Sequence, residues 1–198
     1  GFGIEEMTSG IIAAGAALHY LTETRHDQLR HIAKISRIAE NEYVWMDRFT
    51  IGNLELYHSS AANAVTLLDV IDKTISPMGG RLLKRWVALP LKNKDKIINR
   101  HEVVSYLLKD SIVLEEVQLN IKRIGDIERL ISKVATGKVS PREVVQLKHS
   151  LEAILPIKEK SQEAKNESLK IIGEQLCDCK LLREKISATL KDEAPVLI

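Results

Sequence analysis

The chain is poor in aromatic residues and in cysteine. Phe, Trp and Tyr make up 4% of its 198 residues, and Cys177 and Cys179 are its only thiols. So few rings leave a core of Leu, Ile, Val and Ala, and little material for stacking on bases. Two cysteines one residue apart suggest neither a disulfide framework nor a four-ligand zinc site, and they fit a reducing cytosol. No run approaches the roughly 18 consecutive apolar residues of a membrane span. The opening GFGIEEMTSG lacks a basic segment ahead of an apolar one, so it is not a secretory signal. Like the closing DEAPVLI, it reads as a cut inside a longer chain. A strong charge of either sign is also missing: the net charge of +2 neither demands nor excludes nucleic acid.

What is present is ordinary for a soluble globular domain, with 44% hydrophobic and 28% charged residues. The length is enough to bury a core without metal or disulfides. Residues 8–24 predict a helix whose apolar, small-residue surface (Ile11, Ile12, Ala16, Leu18, Leu21) suits packing on more than one side. A polar, histidine-containing connection, 25–41, then marks a domain boundary, and YVWM at 43–46 is a short strand candidate. Helices dominate from Ala61 on. Val65, Leu68 and Ile71 mark a short one. Ser76-Pro77 opens the next, with Leu82, Leu83, Trp86 and Val87 as its inner face and Pro90 as its end. Another starts at Asn93 or Asp95 with Ile97, Val104 and Leu108 inward. Ile127, Leu130, Ile131 and Val134 follow helical spacing up to Gly137.

SPRE at 140–143 is the clearest start signal: Ser at N-cap, Pro at N1 and Glu at N3 form a capping box. Its helix carries Val144, Leu147, Leu151 and Ile154 until Pro156 kinks or ends it. The charged stretch 158–170 reads as a mobile excursion, and a last helix spans 180–190 with Leu181, Leu182, Ile186 and Leu190. The fold class is mainly all-α, a helical array with one short β-strand element.

One stretch answers to two local rules. In MDRFTIGNLELYHSS (46–60), Phe49, Ile51, Leu54 and Leu56 alternate about Gly52-Asn53, as in a two-residue hairpin. Equally, Asp47 can cap a helix on which Ile51, Leu54 and Tyr57 recur at i, i+3, i+6. Local rules leave both open.

Several patterns invite a chemical reading. SPMGGRLLKRW (76–86) has two glycines before basic residues, but it lacks the Lys-Ser/Thr of a P-loop, so Gly79 and Gly80 read as positions of close helix packing. Residues 81–100 hold Arg81, Lys84, Arg85, Lys92, Lys94, Lys96 and Arg100 against Asp95 alone. These seven are candidate phosphate contacts. The alternative is a set of solvated helix faces, since no aromatic residue interleaves with these charges for base stacking and Trp86 sits on the apolar face. Cys177 and Cys179 are a weak metal pair. His19, His26 and His31 are not spaced as in HExxH. Asp69 and Asp72 are i, i+3 on a helix and more consistent with solvated side chains than with a catalytic pair. No catalytic, cofactor or metal site is assembled by these residues.

YVWMDRFTIGNLELY, then TLLDVIDKTISPMGGRLLKRWVALPL and NRHEVVSYLL, resembles the core domain of the MutS family of DNA mismatch-recognition ATPases. The likeness continues through IGDIERLISKVATGKVSPREVVQLKHSL to LKDEAPVLI and covers nearly the whole chain in order. It implies that 1–24 is the last helix of a connector domain, 25–41 a linker, and 42–198 the first half of the core, or lever, stopping where a clamp begins. It implies a helix capped near Asp47, softened by Gly52, which costs roughly 1 kcal/mol relative to Ala. In such a family the whole protein grips mismatched duplex, inserts a Phe-x-Glu wedge, dimerises, binds ATP and magnesium at a P-loop, and meets a MutL-type partner in the bacterial cytoplasm. Phe2 and Phe49, the only phenylalanines, begin no Phe-x-Glu, and no P-loop is present. The implied role is therefore mechanical and not enzymatic. A relative acting on recombination intermediates, and a freestanding helical scaffold for protein partners, stay open as alternatives.

Overall fold

The computed structural model describes residues 4–24, 29, 32, 35–36, 40–59, 61 and 63–195; the expected linker 25–41, His26, His31 and Phe2 lie wholly or mostly outside these. Eleven α-helices follow in order among the described residues: α1 (Thr8–Glu23), α2 (Arg48–Asn53), α3 (Leu67–Ile71), α4 (Pro77–Ala88), α5 (Lys94–Lys109), α6 (Ser111–Arg123), α7 (Ile127–Ala135), α8 (Pro141–Glu152), α9 (Ile154–Glu163), α10 (Glu167–Gln175) and α11 (Lys180–Thr189). Among the described residues, no helix is long and apolar enough to cross a membrane.

Side-chain caps set most of these boundaries. Asp47, Ser76, Asn93, Asp110, Asp126 and Asn166 each accept the amide hydrogen three residues on. Thr66 with Asp69, and Ser140 with Glu143, make full capping boxes. Each cap contributes about 1 kcal/mol by satisfying an end amide that has no partner within its helix. Glu143 also pairs with Lys133 of α7. That ion pair, then the Ser140 amide, holds its carboxyl down to about 2.

The first half of the ambiguous stretch is a helix that stops at Asn53, short of the Leu54 and Tyr57 positions the helical spacing included. Asp47 Oδ1 accepts from Thr50 N at 2.7 Å, and α2 runs through Gly52. The expected strand is not there. Tyr43 makes one isolated antiparallel bridge with Leu91, flanked by Val44 N to Pro90 O at 2.7 Å and Lys92 N to Glu42 O at 2.9 Å. Its partner segment is too short for a ladder: Pro90 has no amide hydrogen to offer, and Asn93 already caps α5.

The core sits in the second half of the chain. Leu130, Leu147 and Leu151 form a buried cluster against which Ile127, Ile154 and Cys179 pack. Around it α10 lies on α9, α11 on α8, and α6 on α9. The helix expected to end at Pro156 ends earlier, at Glu152. Pro156 therefore falls in the first turn of α9, where a missing amide hydrogen costs least.

Residues 158–170 are not an excursion but the tightest joint described. Ser161 is 3% exposed and Ala164 2%. An ideal Cβ on Gly173 would stand 2.7 Å from the Ser161 Cβ and 3.1 Å from the Gln162 amide nitrogen. The contact is made by small residues, which carry no apolar stripe for periodicity to detect.

Several stripes that spacing placed inward face outward. None of α1 is buried. Leu82, Trp86, Val104, Leu108, Ile131, Val134, Leu181 and Leu182 are exposed as well. The spacing says which side of a helix is apolar and not whether anything covers it. In all the chain exposes 14827 Å², against roughly 9,400 Å² for a compact monomer of its mass.

Two glycines give opposite expectations. Gly173→Ala forces the α9–α10 crossing apart and should destabilise, overpacking at about 1–3 kcal/mol outweighing a gain of at most ~1 kcal/mol in helix propensity. Gly52→Ala meets nothing within 4 Å and should stabilise by about 0.4–1 kcal/mol. Urea unfolding midpoints that move the same way for both would contradict this account of the joint.

Candidate functional site

The basic residues of α4 and α5 are the strongest chemical signal in the sequence, and the structure places each one. Ser76 Oγ accepts from Gly79 N at 3.1 Å, with Pro77 at the first position of α4. Cβ atoms on Gly79 and Gly80 would meet Ser76 Oγ at 3.0 Å and Thr74 Oγ1 at 3.2 Å. These glycines thus seat the helix on its own preceding turn, not on another helix. That turn is held by Asp72 Oδ1, which accepts from Thr74 N at 2.9 Å and Thr74 Oγ1 at 2.7 Å. Asp69 serves the Thr66 capping box, so Asp69 and Asp72 are local caps and do not pair. Hydrogen bonds from Thr66 and from Thr74 lower the two carboxyls respectively.

Arg81 spans α4 and α7 as a fork. Its Nη1 and Nη2 donate to the two Asp126 oxygens at 3.0 and 2.7 Å, and its Nε donates to Glu128 Oε2 at 2.8 Å. Asp126 is also the N-cap of α7. The pairing raises Arg81 and lowers Asp126, the Arg81 hydrogen bonds being the main cause of the latter. Lys96 Nζ donates to Glu42 Oε1 at 2.9 Å and so backs the Tyr43–Leu91 bridge.

Two further cations lie over rings. Arg100 Cζ is 3.7 Å from the Trp86 ring centre and Lys84 Nζ is 5.3 Å from that of Tyr57. Tyr57 in turn donates its hydroxyl to the Lys84 carbonyl at 2.7 Å, and burial raises its hydroxyl pKa. Aromatic residues therefore do interleave with the charges in space. The side chains of Arg85, Lys92 and Lys94 make no ion pair or ring contact among the described residues.

Glu42, Tyr57, Asp126 and Glu128 belong to this site, yet only Asp126 left a local trace in the sequence, as a cap before a helical run. Beside Trp86 and Arg100, an open groove of about 350 Å³ between α5 and α10 is lined by Val103, Val104, Ile171 and Ile172. Elsewhere, the sulfurs of Cys177 and Cys179 stand 3.7 Å apart. No group of three His, Cys, Asp or Glu side chains suited to a metal ion occurs among the described residues.

Comparison with known proteins bears on this arrangement. Residues 49–198 match the family described as MutS domain III. Over 198 residues, all of the chain, it is 65% identical to the DNA mismatch repair protein MutS of Christiangramia forsetii and 63% to that of Flavobacterium psychrophilum. It is 50% identical to that of Phocaeicola vulgatus, again over the full chain. The chain spans 23% of the length of each of these relatives.

The Arg81 fork has a pH signature. A carboxyl lowered in the folded state contributes stability that is present above its ordinary value of 3.8. That contribution is lost as pH falls through the lower folded value. Arg81→Gln should therefore lower the melting temperature at pH 7, and the gap from the unsubstituted protein should narrow at about pH 3. A gap that stays constant across that range would mean Arg81 acts by packing alone.

Proposed function

Because the chain belongs to the MutS family and residues 49–198 match its domain III, we propose that it is a lever segment coupling a DNA grip to an ATPase site elsewhere in the whole protein. The segment itself catalyses nothing. Mismatched duplex, ATP with magnesium, a MutL-type partner and a second copy of the protein are contacts of the whole molecule, in the cytoplasm of a bacterium. Residues 1–24 serve as the end of the connector and 42–198 as the first half of the core.

The observation that carries this reading is the surface. About 5,000 Å² more is exposed than a compact monomer of this mass needs, and large apolar side chains on α1, α4, α5 and α7 are among those left exposed. An area of that size is in the range of permanent interfaces, as a joint between larger bodies requires. The α8–α11 core supplies the stiffness, and the Arg81 and Lys96 ion pairs tie α4 and α5 to neighbouring parts of the chain. Any DNA contact made here falls to Arg85, Lys92 and Lys94. It is a backbone contact, weak, steeply salt-dependent and blind to mismatches.

The test uses the full-length protein. Affinity for mismatched duplex is measured with and without ATP, in the parent and in Gly173→Ala. The ATP-induced change in affinity should fall by about 0.5–2 kcal/mol, roughly 2- to 30-fold, while nucleotide-free DNA binding and DNA-free hydrolysis stay within about twofold. An unchanged ratio, in a variant shown by unfolding to be perturbed at the joint, would end the coupling role.

A further inference from the structure

Between α10 and α11 the chain carries its only two thiols. We propose that Cys177 and Cys179 form an oxidisable dithiol in which Cys177 reacts with a peroxide and Cys179 resolves the product to an intramolecular disulfide. The site is independent of the coupling role, and it uses groups that role leaves idle.

The geometry distinguishes the two sulfurs. Cys177 is exposed, whereas Cys179 is partly covered and packs against the Leu130–Leu147–Leu151 cluster. Cys179 is the N-cap residue of α11 at φ 45°, but its side chain caps nothing. It is instead within hydrogen-bond reach of the other thiol, its sulfur 3.7 Å from Cys177 Sγ. Cys179 is kept protonated by that contact, then by burial and the charges of Cys177 and Asp178, which together push its thiol up. The turn between the sulfurs is braced: Arg183 Nε donates to the Asp178 carbonyl at 2.7 Å, and its guanidinium lies 3.6 Å from the Asp178 carboxylate. Side-chain rotation has about 1.7 Å to close before the sulfurs reach the ~2.05 Å of a disulfide.

The chemistry balances with hydrogen peroxide as oxidant. The Cys177 thiolate attacks one peroxide oxygen; an S–O bond forms, the O–O bond breaks, and hydroxide leaves. The product is a sulfenic acid. The Cys179 sulfur then attacks the Cys177 sulfur. An S–S bond forms, the S–O bond breaks, and the departing hydroxide takes up the Cys179 proton as water. Two thiols lose two electrons and two protons, and the peroxide becomes two waters. Because the ring spans a single residue and lies at the surface, the disulfide belongs to the strained, exposed class that thiols reduce readily. The modification is thus reversible.

The experiment treats the full-length protein with one equivalent of hydrogen peroxide, alkylates free thiols, and reads the tryptic peptide 171–180, IIGEQLCDCK, by mass. The expected peptide is lighter by two hydrogens, takes no alkyl group, and regains two alkylatable thiols after dithiothreitol. In Cys179→Ser, dimedone should capture a sulfenic acid on Cys177. In Cys177→Ser, Cys179 should stay alkylatable and trap no dimedone. Two alkylated thiols in the treated parent, or Cys177 oxidised to sulfinic acid beside an intact Cys179, would overturn the site. A dimedone adduct on Cys179 would overturn the assignment of roles.

Discussion

The bundle is organised about one contact without a side chain on one side of it. At Gly173 the backbone of α10 reaches Ser161 on α9, and nothing larger than hydrogen fits between them. That closeness sets the depth at which Ala164 and Leu169 are buried. It also fixes the surface of α9 that α6 meets, where Lys160 pairs with Glu116 at 3.2 Å. The Lys165 amide, in the turn between the two helices, donates to the Tyr106 hydroxyl at 3.4 Å, so α5 is hooked to the same hairpin. A crossing this tight resists small deformations because close-packed interiors have few intermediate arrangements.

A second constraint is electrostatic. Lys148 lies in the middle of α8 with its side chain 7% exposed, and its ammonium is answered by Asp192 beyond α11. A buried ammonium requires a partner, since removing the partner leaves a charge without water. The Asp192 carboxyl is lowered chiefly by that hydrogen bond. The segment after α11 is therefore anchored by charge to the helix at the centre of the core, and α11 is held from its far end as well as through Ile186.

Helix starts were legible in the sequence because their cause is local. Asp47, Ser76, Ser140 and Asn93 each bond an amide three residues away, and the residue types announce it. Burial was less legible. Leu108 and Val104 have the spacing of an inner face but look outward, while Ser161, Ala164 and Gly173, with no apolar stripe, make the tightest contact. The strand at 43–46 failed for a nonlocal reason, since a ladder needs a partner of equal length and Leu91 offers one position. The basic site was half legible: every cation was visible, but its partners lie up to 54 residues away. Distance along the chain is what hid Glu42, Glu128 and the pairing of Asp126 with Arg81.

The Arg81 fork also changes how this surface looks from afar. A lone cation presents a monopole, whose potential decays slowly until salt cuts it off at about 8 Å. Arg81 and Lys96 are instead bound to carboxylates within 3 Å. From outside, Lys96 with Glu42 is a dipole whose potential dies within the width of the pair, while Arg81 with Asp126 and Glu128 sums to a net negative charge. An approaching polyanion therefore meets a narrower positive field than seven basic residues would suggest, carried by Lys84, Arg85, Lys92, Lys94 and Arg100, which no acid pairs among the described residues.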